Sequence, residues 1–189
     1  MSGRNTVIRS LHDVGLATWF GGSLMGAVGL NGAAKDQGGS ETAVARISSS
    51  GWAKWTPVNA AAIGAHLFGG GGLLAVNAHR ITGQKGVAAS TTAKTAVTAA
   101  ALAATAYARV LGKKIELASS SDPQDLEKAA QHPIDTAKAA RQLVCFQWAV
   151  PALTGCLVVL NALHGEQQRP FEQMHGFWEH ARSATPLFR

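Results

Sequence analysis

The strongest constraint on this chain is a set of long stretches that contain no Asp, Glu, Lys or Arg. Val14–Ala34 (VGLATWFGGSLMGAVGLNGAA), Trp55–His79 (WTPVNAAAIGAHLFGGGGLLAVNAH) and Gln142–Gly165 (QLVCFQWAVPALTGCLVVLNALHG) all run uncharged. About 20 helical residues cross roughly 30 Å of hydrocarbon, and each of these runs meets that length. A fourth, Thr95–Ala108 (TAVTAAALAATAYA), is shorter, but Lys94 and Arg109 at its edges can snorkel and extend it. Only 15% of the residues are charged, against about 25% in an ordinary soluble protein. Those charges collect between the runs.

The expectation is therefore an all-α integral membrane bundle of four transmembrane helices, at about 10–34, 55–79, 88–111 and 138–164. Residues 1–169 form that domain and 170–189 a short amphipathic or disordered tail. In the tail, Phe171, Met174, Trp178 and Ala181 make one apolar stripe suited to a membrane surface. Pro57 fits the first turn of the second helix, where no helical donor is lost. Trp52 and Trp55 at its entrance, and Tyr107 at the exit of the third helix, suit interfacial depth. Pro151 falls inside the fourth helix, where it removes a hydrogen bond. Of the polar connections, 35–54 holds a short surface helix at SETAVARI. In 113–141, Asp122 caps and Pro123 opens another short helix.

The net charge of +6 would point to nucleic acid in a soluble protein. No basic run or basic–aromatic interleaving accompanies it, and the densest point, GKK at 112–114, abuts an apolar run. Lipid headgroups are the better partner for such residues, so the bilayer is expected and nucleic acid is not. The first uncharged run exceeds a signal-peptide core, which makes it a retained span of a multi-pass plasma-membrane protein. Basic residues are nearly balanced between the two sides, and both termini are assigned to the cytoplasm. Cys145 and Cys156 lie about 16 Å apart along one helix and cannot bond to each other.

The four glycines of AHLFGGGGLLAVNAHR resemble a phosphate loop only in isolation. No GxxxxGK[ST] pattern follows, and no dinucleotide-binding strand precedes them. In lipid a helix is the way to satisfy the backbone, so Gly69, Gly70, Gly71 and Gly72 are expected to form a smooth groove for another helix or a flat ligand. Gly22 and Gly26 form a GxxxG pair, and Ala96, Ala100, Ala104 and Ala108 a small-residue ladder. Both allow close helix approach, within the bundle or between subunits.

The histidines carry what chemistry there is. With alternating helix directions, His12, His79 and His164 reach one membrane face. His66 falls near mid-membrane, with Asn59, Thr98, Gln147 and Thr154 as candidate partners. Imidazoles there suit haem iron, copper or a proton relay. No GxSxG, CxxC, HExxH or buried carboxylate pair occurs. The leading expectation is a non-enzymatic scaffold or accessory subunit that associates with itself or a larger membrane complex. The alternative is a haem- or metal-binding redox or transport protein using His66, His12, His79 and His164.

LHDVGLATWFGGSLMGAVGLNGAA resembles the first helix of CopD-like copper-resistance domains and of HemJ-type protoporphyrinogen oxidases. His12, Trp19, Phe20, Gly21 and Gly22 carry the resemblance, and the aromatic-proline-arginine continuation of the HemJ type is absent. Over about residues 8–170 the chain resembles an uncharacterised actinobacterial family of four-helix integral membrane proteins. WTPVN, QKGVAASTTAKTA, VLGKK, QWAVPALTG and VLNALHGEQQRP carry that second likeness. It implies a membrane bundle and transfers no site residues.

Overall fold

The structure, a computed structural model, describes residues 5–76, 78 and 85–166, with side chains over 5–76, 78 and 89–163. Every regular element among them is helical. The first rod is α1 (Thr6–Met25), which continues without a break through a π-helical segment (Gly26–Leu30) into α2 (Asn31–Gln37). A turn at Gly38–Ser40 reverses the chain. Gly39 there has φ +62°, a left-handed conformation that a glycine adopts without a Cβ penalty. Ser40 then caps the next helix, its Oγ accepting from the Ala43 N–H at 3.2 Å, with Glu41 near the positive helix end.

That helix, α3, runs from Glu41 to Val76. It is followed by α4 (Lys85–Ala118), α5 (Pro123–Gln131) and α6 (Thr136–Glu166). Asp122 caps α5 as expected, accepting from the Gln124 N–H at 2.9 Å with Pro123 in the first turn. Asp135 performs the same service for α6, accepting from the Lys138 N–H at 2.8 Å.

Three helices are long and apolar enough to cross a membrane: Glu41–Val76, Ala89–Ala118 and Thr136–Leu163. Their outward faces carry large apolar side chains such as Phe68 (72% exposed) and Val159 (58%), which suits contact with acyl chains. The protein is thus a helical, multi-pass candidate on length and composition. The first rod does not join that set.

Around the bundle, α1 packs most extensively on α3 and next on α6, while α4 packs chiefly on α6. The seam between α3 and α4 is the thinnest of the four. Trp19, Ala101, Ala104 and Val150 form the core, with Ile63, Leu102, Phe146 and Leu153 around it. The Tyr107 ring meets Phe146 edge-on at 4.7 Å. The Phe20 ring covers Gly155, where an added Cβ would stand 3.1 Å from Cε2.

Several sequence expectations change here. The second long helix begins at Glu41, so Pro57 is inside it rather than in its first turn. The reason is that the polar half of α3 has its own surface to cover: Leu30 lies on Gly51, and Val44 presses on Gly38. Trp52 and Trp55 are half-buried and pack against the first rod. The Trp55 ring covers Gly22 and the Trp52 ring covers Gly26, so any Cβ at either glycine would overlap an indole. The GxxxG pair thereby serves packing inside the chain. In α4 the buried small residues are Ala101 and Ala104, whereas Ala96 and Ala100 of the expected ladder are exposed. Pro151 does lie inside α6, and both cysteines are free and exposed. The tail stripe and the 81–87 turn are not tested: residues 167–189 and 79–84 lie outside the described residues.

Candidate functional site

Two neighbouring features carry polar chemistry inside the bundle. The first joins α1 to α3. His12 Nδ1 lies 3.0 Å from the His66 carbonyl oxygen, and His66 Nδ1 lies 3.1 Å from the His12 carbonyl oxygen. Carbonyls only accept, so both Nδ1 atoms donate, and in each neutral ring Nε2 holds the lone pair. The imidazoles stack with centroids 4.1 Å apart and planes tilted by 21°. Asn161 Nδ2 of α6 stands 3.4 Å from His12 Nε2, in position to donate. His66 is 3% exposed.

A repeated tetrapeptide explains the reciprocity. His12-Asp-Val-Gly15 and His66-Leu-Phe-Gly69 each place a glycine three residues after the histidine, on the same helix face. A Cβ on Gly15 would stand 2.5 Å from both the Ala62 carbonyl oxygen and the His66 nitrogen. One on Gly69 would stand 2.5 Å from the His12 nitrogen. Each glycine thus admits the backbone of the other helix's histidine, close enough for side chain to reach main chain twice. The glycine groove has an occupant from the same chain. Ile8 and His12 of α1 fill it at Gly69, Gly70 and Gly72, and Gly71 faces open space.

This arrangement revises the sequence expectation. His12 and His66 share one layer of the bundle rather than separate depths. None of the four expected partners bonds to His66. Thr98 and Thr154 donate to their own helix carbonyls at Lys94 and Val150, and Gln147 pairs with Asn31. Asn59 Oδ1 has no partner. His79 lies outside the described residues, as does the His164 side chain. No three His, Cys, Asp or Glu side chains gather into a metal-binding group among the described residues.

Nor does the His12–His66 pair fit a shared metal. A metal on imidazole lies in the ring plane. Stacked rings with centroids 4.1 Å apart and planes tilted by only 21° have planes that meet on the order of 10 Å away, against a metal–nitrogen bond of about 2 Å. Haem ligation by both rings needs the porphyrin between them, and here they touch face to face. In this geometry the pair is a lock between two helices.

Trp19 connects the lock to the second feature. Its ring meets His66 edge-on at 6.2 Å, and its Nε1 donates to Thr105 Oγ1 at 3.2 Å. Thr105 lines a cavity of about 310 Å³ in the thin seam between α3 and α4, floored by Leu143, Gln147 and Val150 of α6. That volume lies at the lower end of the range for small-molecule sites, about 300–1,000 Å³. Along α4 the lining runs from Leu102 to Glu116, about 21 Å at 1.5 Å per residue. The space is therefore elongated. Ile63, Leu102 and Val150 make one end apolar, while Ser48, Ser49, Arg109 and Glu116 make the other polar.

Most polar groups on its wall are already committed. Ser23, Ser48, Thr56 and Thr105 donate to carbonyls of their own helices. Trp52 Nε1 donates to Asn31 Oδ1 at 3.0 Å, and Asn31 Nδ2 donates to Gln147 Oε1 at 2.9 Å. Among the described residues, three buried side-chain atoms have no hydrogen-bond partner: Trp55 Nε1, Asn59 Oδ1 and Glu116 Oε2. All three residues line this cavity, while the unpaired atoms themselves are enclosed by the surrounding protein. Glu116 Oε2 has only the Arg109 guanidinium, at 3.6 Å, and its Oε1 accepts from Lys113 Nζ at 2.8 Å.

Sequence reasoning passed over Trp55 as an interfacial anchor and did not single out Glu116. The available signal was Trp55 and Asn59 at i and i+4 on an uncharged helix, a polar pair sharing one face. No family model, curated protein or solved structure matches the chain.

Proposed function

We propose that the protein is a four-span membrane protein that holds a small amphiphilic molecule in the α3–α4 cavity, acting as an accessory binding subunit rather than as an enzyme. One observation carries this reading. An elongated cavity of about 310 Å³, apolar toward Ile63, Leu102 and Val150 and polar toward Ser48, Ser49, Arg109 and Glu116, lies in the seam between α3 and α4. The division of that space into an apolar and a polar end matches the division within an amphiphilic molecule. Placing α1 and its continuation as the fourth span rests on the uncharged run Val14–Ala34 and on the outward apolar side chains Val14, Leu24, Met25 and Val28.

The test is retention. Gly112 lines the cavity, and a Cβ there would meet nothing within 4 Å, so Gly112→Phe obstructs the space without displacing the backbone. Protein drawn from its membrane into lipid nanodiscs is extracted and its small molecules are identified by mass spectrometry. A compound held at near-stoichiometric level by the parent chain and lost from the folded variant supports the reading. Equal retention in both refutes it.

A further inference from the structure

The head group that the cavity takes is set by what its polar end leaves accessible, and that group is Arg109. Its side chain is 40% exposed and lines the space. Its ion-pair partner, Glu116 Oε2, stands 3.6 Å from Nη1, beyond hydrogen-bonding range. Among the described residues the guanidinium makes no hydrogen bond, so a planar fork of five N–H donors remains uncommitted. Glu116 is covered: Oε1 accepts from Lys113 Nζ at 2.8 Å, and Oε2 is enclosed. Ser49 lines the same end, and its hydroxyl is neither hydrogen-bonded among the described residues nor one of the enclosed atoms.

Charge narrows the head. Arg109, Lys113 and Glu116 together carry one net positive charge, which one carboxylate neutralises. A phosphate monoester, at about −1.5 to −2 near pH 7, would leave excess negative charge beside Glu116. A cationic head would face the guanidinium, and an ester would leave most of its donors unused. A carboxylate also matches the planar fork in a bidentate pair. The volume of about 310 Å³ is that of one small molecule, too small to enclose a two-chain phospholipid.

The direction of the space agrees with that head. Lys113 and Lys114 follow Arg109 toward the end of the span Ala89–Ala118, where basic residues meet lipid headgroups. Ile63, Leu102 and Val150 lie further into the bundle. Ala60 and Ala106 line the cavity and are exposed, so the seam opens sideways between α3 and α4. An amphiphile can enter from the bilayer through that opening without turning over. We infer that the cavity binds a fatty-acid carboxylate drawn from the bilayer, its head paired with Arg109 and its chain laid along the seam toward Leu102. This rests on the ligand-binding reading above and adds the chemical class.

The experiment uses the full chain in phosphatidylcholine nanodiscs, at a pH where decanoate is ionised in the bilayer. Three radiolabelled probes share one chain length: decanoate, methyl decanoate and decyl phosphate. Binding to discs that carry Gly112→Phe is subtracted as background. Decanoate is expected to bind about tenfold or more tightly than methyl decanoate, since a hydrogen bond to a charged group contributes about one to two orders of magnitude. Decyl phosphate is expected to bind more weakly than decanoate. Arg109→Gln removes only a partly exposed ion pair, which contributes little to folding. It should weaken decanoate about tenfold and leave methyl decanoate unchanged. Arg109→Lys keeps the charge without the fork and should recover part of that loss.

Equal binding of decanoate and its methyl ester by the parent chain, or undiminished decanoate binding by Arg109→Gln, overturns the anionic head while leaving a ligand cavity in place. Tighter binding of decyl phosphate than decanoate overturns the carboxylate. If no probe binds above the Gly112→Phe background, the fatty-acid assignment falls. If that variant also retains the same native compounds as the parent, the ligand-binding reading falls with it.

Discussion

Gly15→Ala tests the helix lock most directly. The new Cβ would stand 2.5 Å from the Ala62 carbonyl oxygen and the His66 nitrogen, and ordinary contact begins at 3.4 Å. Both obstacles are backbone atoms, so no rotamer change relieves them and α1 must retreat from α3 by about 0.9 Å, the difference of those two distances. The paired His bonds, now 3.0 and 3.1 Å, would lengthen to about 4 Å, beyond hydrogen-bonding range. Losing two such bonds inside a membrane bundle costs roughly 1–4 kcal/mol, and the overpacking adds roughly 1–3 kcal/mol. Alanine's helix preference returns up to about 1 kcal/mol. A net loss of about 2–4 kcal/mol is expected. Gly69→Ala should cost a similar amount, because it meets the His12 nitrogen at the same 2.5 Å. The double variant should cost less than the sum, since the first substitution has already parted the helices. Gly64→Ala is the control, with nothing within 4 Å of its Cβ. Reversible unfolding in mixed detergent micelles, followed by circular dichroism, measures all four. If Gly15→Ala unfolds at the same denaturant fraction as Gly64→Ala, the glycines do not set the helix approach and the lock is misassigned.

Other perturbations probe the rest of the bundle. Asn31→Leu strands both the Trp52 Nε1 donor and the Gln147 amide, with an expected loss of about 2–4 kcal/mol in the same unfolding assay. Trp19→Phe keeps the ring but removes the bond to Thr105; about 1 kcal/mol should be lost, and His12 and His66 should remain protected from diethylpyrocarbonate. Gly21 faces open space on the first rod. If that rod spans the bilayer, Gly21→Lys should disfavour its insertion by about 2.5–3.5 kcal/mol in a translocon assay, whereas a surface-lying rod would tolerate it. Spin labels on the exposed Cys145 and Cys156, which lie on either side of the midpoint of Thr136–Leu163, should both show high oxygen-to-nickel accessibility ratios. A ratio typical of the aqueous phase at both would contradict a spanning α6.

Much of the helical layout follows from residue patterns readable along the chain. Absence of charge marks the apolar stretches, and the Asp122–Pro123 pair marks α5 with its cap. The start of α3 was hidden because residues 41–54 are polar, and polarity reads as a loop until Gly38 and Gly51 are seen to take side chains from across the turn. Trp52 and Trp55 read as interfacial because their placement beside an uncharged run suits that role equally well. Only the antiparallel register puts them over Gly26 and Gly22. The His12–His66 contact had a trace in the sequence, the repeated His-x-x-Gly. Its meaning depends on two helices crossing at that level, which periodicity alone does not specify. The cavity was least accessible to sequence reasoning. It arises where α3 and α4 fail to close on each other, and a gap between helices leaves no mark in the residues of either.

The π-helical segment at Gly26–Leu30 has a consequence for the protein's history. A π turn holds one residue more than an α turn, and one residue rotates everything after it by about 100°. Asn31, the next residue, reaches Trp52 and Gln147 in the rotated phase. A relative with a single-residue deletion in this segment would carry Asn31 onto a different face of the rod. Its counterparts of Trp52 and Gln147 would then be expected to change with it, so that one gap in an alignment and two substitutions far apart in the chain would be inherited as a single event.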